Sequence, residues 1–85
     1  MLKEKAASLL SVPKEIILDT PLVIATGRDE INVENYKNII EFTDKKIRLG
    51  TKAGTMTIEG DNLKLRQITT ENILVSGKIS GITYL

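Results

Sequence analysis

Ile31-Asn32-Val33-Glu34-Asn35-Tyr36, Ile40-Glu41-Phe42, Ile47-Arg48-Leu49, Met56-Thr57-Ile58, Leu63-Lys64-Leu65, Ile73-Leu74-Val75 and Ile79-Ser80-Gly81-Ile82 decide the fold of this chain. They are short alternating apolar stretches punctuated by glycine. Side chains two residues apart share one face of a strand, so each stretch buries one face and wets the other. The pattern predicts a small all-β domain. Turn-forming residues stand between the stretches at Thr43-Asp44-Lys45, Lys52-Ala53-Gly54, Gly60-Asp61-Asn62, Thr69-Thr70-Glu71-Asn72 and Gly77. Gly60-Asp61-Asn62, between Thr57-Ile58 and Leu63-Lys64-Leu65, reads as a tight hairpin.

Working toward the N-terminus, Leu22 to Thr26 reads as a further strand, closed by a turn at Gly27-Arg28-Asp29-Glu30. Ile16-Ile17-Leu18 reads as a short strand ahead of Asp19-Thr20-Pro21. Leu2 to Leu10 is rich in helix formers, with Leu2, Ala6, Leu9 and Leu10 at helical spacing, and Ser11 and Pro13 end it. The expected organisation is a short helical arm over 1–12 and a single β domain over 13–85. Short, regular connections predict an antiparallel meander of about seven to eight short strands, folded into a small β-sandwich or partly closed barrel. The alternative is a β-solenoid-like stack, in which Gly27…Ile31-Asn32-Val33 and Gly60…Leu63-Lys64-Leu65 would be rungs.

Composition excludes much chemistry. The chain of 85 residues has neither cysteine nor histidine. Disulfides, thiolate metal sites and serine–histidine or cysteine–histidine nucleophile systems are therefore absent from this sequence. Twelve basic and eleven acidic residues leave a net charge of +1, without the basic excess of a nucleic-acid binder. Lys45-Lys46-Ile47-Arg48 is the one cationic cluster, and Ile47 fits a strand whose neighbours point to water. No stretch approaches the ~20 apolar residues of a membrane-spanning helix, and no signal peptide is visible. The expectation is a cytoplasmic chain without direct membrane insertion.

Few residues invite a functional reading. Asn35, flanked by strand signals, suits a backbone hydrogen bond or a left-handed turn conformation better than a ligand contact. Tyr36 and Phe42 read as a cross-strand pair packed in the core, with an exposed contact patch as the alternative, in a chain that has one further aromatic residue, Tyr84. Glu30 with Glu34, or Glu59 with Asp61, are the only routes to acid–base chemistry, and a meander of this size leaves little room for a substrate cleft. No aspartate-rich loop has calcium-ligand spacing. No catalytic, cofactor-binding or metal residue is assigned. The uncharged run Ile79 to Leu85 is expected at a sheet edge or an interface.

Three further groups of residues carry a resemblance. They are Asp19-Thr20-Pro21-Leu22-Val23 with Gly27 and Ile31 to Phe42; Ile47-Arg48-Leu49-Gly50-Thr51 with Gly54 and Ile58 to Leu65; and Ile73 to Ile79. In this order they resemble the YabP/YqfC family of sporulation proteins, closer to its YqfC branch. The resemblance implies a protein of endospore-forming bacteria on the mother-cell side of the developing spore, tied to building the spore envelope, coat or cortex. It implies a protein partner, with a sporulation membrane protein or a second copy as candidates, and supplies no catalytic residue. The expected function is a non-catalytic protein acting through protein–protein interaction or assembly. The alternatives are a small binding module that regulates a membrane partner, and a carboxylate-based enzyme. Gly27, Gly60 and Gly77 of the shared pattern are expected at turns or bulges.

Overall fold

The computed structural model describes residues 20–85. The expected helical arm over 1–12 and the short strand Ile16-Ile17-Leu18 lie outside the described residues. The described chain is all β, in six strands: β1 (Leu22–Thr26), β2 (Glu30–Glu34), β3 (Tyr36–Phe42), β4 (Lys46–Thr51), β5 (Gly54–Ile68) and β6 (Asn72–Tyr84). They form one open sheet in the order β1-β2-β6-β5-β4-β3, every pairing antiparallel. Solenoid rungs stack in parallel, so the antiparallel ladders replace that alternative.

The expected seven to eight short strands become six because β5 and β6 are long. Gly60-Asp61-Asn62 does not turn the chain. It lies inside β5, which runs on past it and has three register shifts against β6. Asn62 takes the left-handed conformation (φ 54°), and a Cβ on Gly60 would run into the carbonyl oxygen of Lys78. Opposite them, Gly77 sits at φ 141°. Turn and bulge draw on the same residues, and here the chain uses them to kink a strand.

That kink folds the sheet on itself. A straight strand of 15 residues spans about 46 Å at ~3.3 Å per residue, yet the longest dimension of the molecule is 36 Å. The route from β2 to β3 shows how the ends meet. Asn35 alone joins them, and its N–H donates to the Glu71 carbonyl (2.7 Å) at the tip of the β5–β6 hairpin. The next residue, Tyr36, pairs with Thr51 of β4, which in turn pairs with Gly54 at the opposite end of β5, and Tyr36 donates its hydroxyl to the Thr69 carbonyl (2.6 Å) at the tip. Tip and base of the long hairpin therefore both border Tyr36.

The first part of β5 and the last part of β6 pair with each other and continue through β4 to β3. The last part of β5 and the first part of β6 continue through β2 to β1. Between these two halves lies a single core of Ile31, Val33, Leu63, Ile73 and Val75 from one and Ile47, Leu49, Met56, Ile58 and Ile79 from the other. Most of these side chains are fully buried, which a flat sheet with one wet face does not allow.

Three of the hairpin turns use one device. Thr43, Thr51 and Thr69 each accept, on Oγ1, the backbone N–H two residues ahead, from Lys45, Ala53 and Glu71. Each hydroxyl also donates to the carbonyl three residues on, of Lys46, Gly54 and Asn72. This local hydrogen bonding closes the turn before the strands pair.

Candidate functional site

The residues singled out from sequence fall into two groups. Asn35 is structural: φ is 66°, and its side-chain amide donates to the Thr20 carbonyl (3.0 Å). Tyr36 is half-buried against the core. Phe42 is not its cross-strand partner, because both belong to β3, and Phe42 is 48% exposed rather than core. Within Lys45-Lys46-Ile47-Arg48, Ile47 is fully buried and Arg48 lies beside Glu41 of β3 (3.6 Å).

The carboxylates do not converge. Glu30 and Glu34 stand at the two ends of β2, four residues and about 13 Å apart along the strand, beyond the ~5–10 Å of paired catalytic carboxylates. Glu59 pairs with Gly81 and Asp61 with Lys78; both are exposed, and of the two only Asp61 lines the depression at the kink. Among the described residues, no three acidic side chains gather around a point that would hold a metal ion. A depression of about 350 Å³ lies at the kink and is lined by Arg28, Asp29, Asp61, Lys78, Ile79 and Ser80. It is open to solvent, its charges are mixed, and Arg28 Nε is turned to the Ile79 carbonyl (3.5 Å).

The molecule presents edges instead. Besides β1 and β3, the fold leaves two more. β4 pairs with β5 only as far as Glu59, after which the turn residues Lys45 and Asp44 accept from Gly60 and Leu63. Beyond that point one side of β5 has no strand against it among the described residues. β2 likewise pairs with β6 only up to Ser76, and Asp29 and Arg28 accept from Gly77 and Ile79. From Ser80 onward β6 is paired, among the described residues, on one side alone, with β5.

One hydrogen bond sets which backbone groups of that edge are free. Leu85 N–H donates to the Thr55 carbonyl (2.9 Å). Hydrogen-bonded pairs alternate along an antiparallel ladder, so Leu85, Thr83 and Gly81 turn their N–H and C=O groups to β5. Ile82 and Tyr84 turn theirs outward, and the register shift at Ser80 ends the alternation there. The sequence flagged Ile79 to Leu85, and the missing signal was this phase, which only the pairing with β5 sets. Tyr84 is 49% exposed and Leu85 is 83% exposed. Other exposed apolar side chains also sit on edge segments: Ile24 on β1, Ile40 and Phe42 on β3, and Ile68 at the end of β5.

The sequence is similar to those of known proteins. The sequence profile of the YabP family matches residues 14–85. The chain is 32% identical over 76 residues to the uncharacterized protein YqfC of Bacillus subtilis, covering 89% of this chain and 82% of that protein. It is 26% identical over 65 residues to the spore protein YabP of Bacillus subtilis, covering 74% of this chain and 65% of that protein. The similarity is thus greater to YqfC than to YabP. Among the described residues, no helix is long and apolar enough to cross a membrane.

Proposed function

The chain belongs to the YabP family, and on that premise we propose that it is a non-catalytic sporulation protein that contributes to spore envelope formation through protein–protein contacts. Its place of action in this reading is the cytoplasm of the mother cell. The observation that carries the reading is where the exposed apolar surface sits. Ile24, Ile40, Phe42, Ile68 and Tyr84 lie on strand edges and Leu85 directly follows one, while the depression at the kink is open to solvent and lined by charges of both signs. An enzyme concentrates apolar walls and convergent polar groups in a cleft. A protein that works by contact keeps them where another chain reaches them. The name of the relative YabP, a spore protein, supports the biological setting.

The test is genetic. Deleting the coding sequence from the spore-former that carries it is expected to lower the yield of heat- and lysozyme-resistant spores, with vegetative growth unchanged. Restoring the wild-type chain is expected to restore the yield. Spores of normal number and resistance from the deletion strain overturn the proposal.

A further inference from the structure

We propose that the free side of β1 pairs antiparallel with β1 of a second copy, about a two-fold axis at Ile24. The inference rests on the reading that the chain acts through protein contacts, and it names the surface and the partner. The edges of the fold differ in how they are protected against strand addition, for which charges and bulges along the strand are usual devices. The exposed end of β5 carries Lys64 and Arg66, with a register shift between Leu65 and Gln67. β3 carries Lys37 and Glu41 and two register shifts. At the end of β6 the register shifts at Ser80, whose hydroxyl donates to the Glu59 carbonyl (3.1 Å). β1 has neither device within it. It is uncharged, and its register with β2 is unbroken from Leu22 to Thr26.

The phase of this edge follows from β2. Asn35 N–H donates to the Glu71 carbonyl (2.7 Å) and Gly77 N–H to the Asp29 carbonyl (3.1 Å), both in line with the unbroken register of β2 and β6. Asp29, Ile31, Val33 and Asn35 therefore turn their backbone groups to β6, and Glu30, Asn32 and Glu34 turn theirs to β1. Opposite these, Leu22, Ile24 and Thr26 bond to β2, which leaves the N–H and C=O groups of Val23 and Ala25 on the free side. A strand laid there must present its own N–H and C=O groups to these two residues, and it must bring no charge beside an uncharged row.

A second β1 meets both demands in one register. With the axis at Ile24, Val23 of each copy faces Ala25 of the other in the hydrogen-bonded phase, giving about four backbone bonds. An axis at Val23 would set Ala25 against Pro21, which has no N–H. An axis at Ala25 would set Val23 against Gly27, which has left the strand and turns the chain at φ 56°. Val23 packs against the core, so Ile24 points to the other face of the sheet, where it is 41% exposed. Across the axis it meets its own counterpart at the closer, non-hydrogen-bonded spacing and is covered by it. On the core side, the exposed Ala25 is covered by Val23 of the other copy. The contact uses the same edge of both copies and closes, so the product is a dimer and not a fibre. Five residues a side make a small interface, so association is concentration-dependent.

Light scattering of the purified chain across a wide concentration range reads this directly. The expected mass rises from 9.4 kDa toward twice that value. Ile24→Lys and Ile24→Glu each set like charges face to face across the axis, and each is expected to stay at the mass of a monomer. An equimolar mixture of the two sets opposite charges face to face and is expected to restore the dimer. The replaced side chain is exposed, and circular dichroism checks that each variant keeps the wild-type fold. Tyr84→Lys at the end of β6 is the control and leaves association unchanged. As the chain contains no cysteine, Ile24→Cys and Thr26→Cys report the register independently. On mild oxidation Ile24→Cys is expected to give a disulfide-linked dimer. Thr26→Cys is not, because residue 26 faces Leu22 of the other copy and lies about 13 Å along the strand from its own counterpart, beyond disulfide reach. A wild-type mass that stays monomeric overturns the inference, as does an Ile24→Lys variant that still dimerises or a lysine–glutamate mixture that does not. A monomeric wild type from a strain whose deletion impairs spores removes the second copy and leaves the proposed function standing.

Discussion

At the scale of single residues, glycines on the long strands make opposite predictions that composition does not distinguish. Gly60 and Gly81 both lie within strands at ordinary φ, and alanine suits a strand no worse than glycine does. A Cβ at Gly60 would overlap the Lys78 carbonyl oxygen, whereas one at Gly81 meets nothing within 4 Å. Gly60→Ala is expected to cost about 2 kcal/mol or more, since backbone must shift, while Gly81→Ala stays within about 0.5 kcal/mol. Urea midpoints of the two variants check this, and equal midpoints would show that the kink does not need the close approach. Asn35 gives a matching pair. Its φ of 66° suits asparagine or glycine and opposes a β-branched residue. Asn35→Val is expected to cost about 2–3 kcal/mol, and Asn35→Gly, which keeps the backbone conformation and loses the amide bond to Thr20, markedly less.

At the scale of elements, the threonine-led turns are the testable device. Replacing Thr69 by valine keeps shape and β propensity but removes the hydroxyl that accepts from Glu71 and Asn72 and donates to the Asn72 carbonyl. The expected loss is about 1–2 kcal/mol, read from thermal unfolding. Thr70→Val next to it is exposed and has no such role, so it is expected to be close to neutral. These turns are legible in the sequence because a turn closed by its own side chain is a local event. Strand positions are legible too, since alternation is local, and so is the conformation of Asn35. The kink at Gly60-Asp61-Asn62 is not. Its residues are those of a tight hairpin, and what makes them a bulge is the approach of Lys78 and Ile79, distant in sequence. Phe42 departs from its sequence reading for a related reason. Alternation places it on the core side opposite Ile47, but β3 is an edge strand with no neighbour beyond it among the described residues to cover the ring.

At the scale of the whole molecule, the shared long hairpin decides how the domain unfolds. β5 and β6 belong to both halves, and the core they enclose is one cluster, so neither half has an apolar layer of its own to keep. A domain this small holds only about 5–10 kcal/mol against unfolding. Truncating one fully buried isoleucine costs about 2–5 kcal/mol, a large part of that total. Ile58 packs from the half containing β3 and β4, and Ile73 from the half containing β1 and β2. Ile58→Ala and Ile73→Ala are therefore each expected to lower the hydrogen-exchange protection of Val33 and Leu49 amides together, through a single unfolding transition. Two halves that fold independently would respond differently. Ile58→Ala would release Leu49 and spare Val33, and Ile73→Ala would do the reverse. That selective loss would show that the kink is a hinge between separable layers, whereas a common loss makes β5 and β6 the element through which both halves of the core hold or fail.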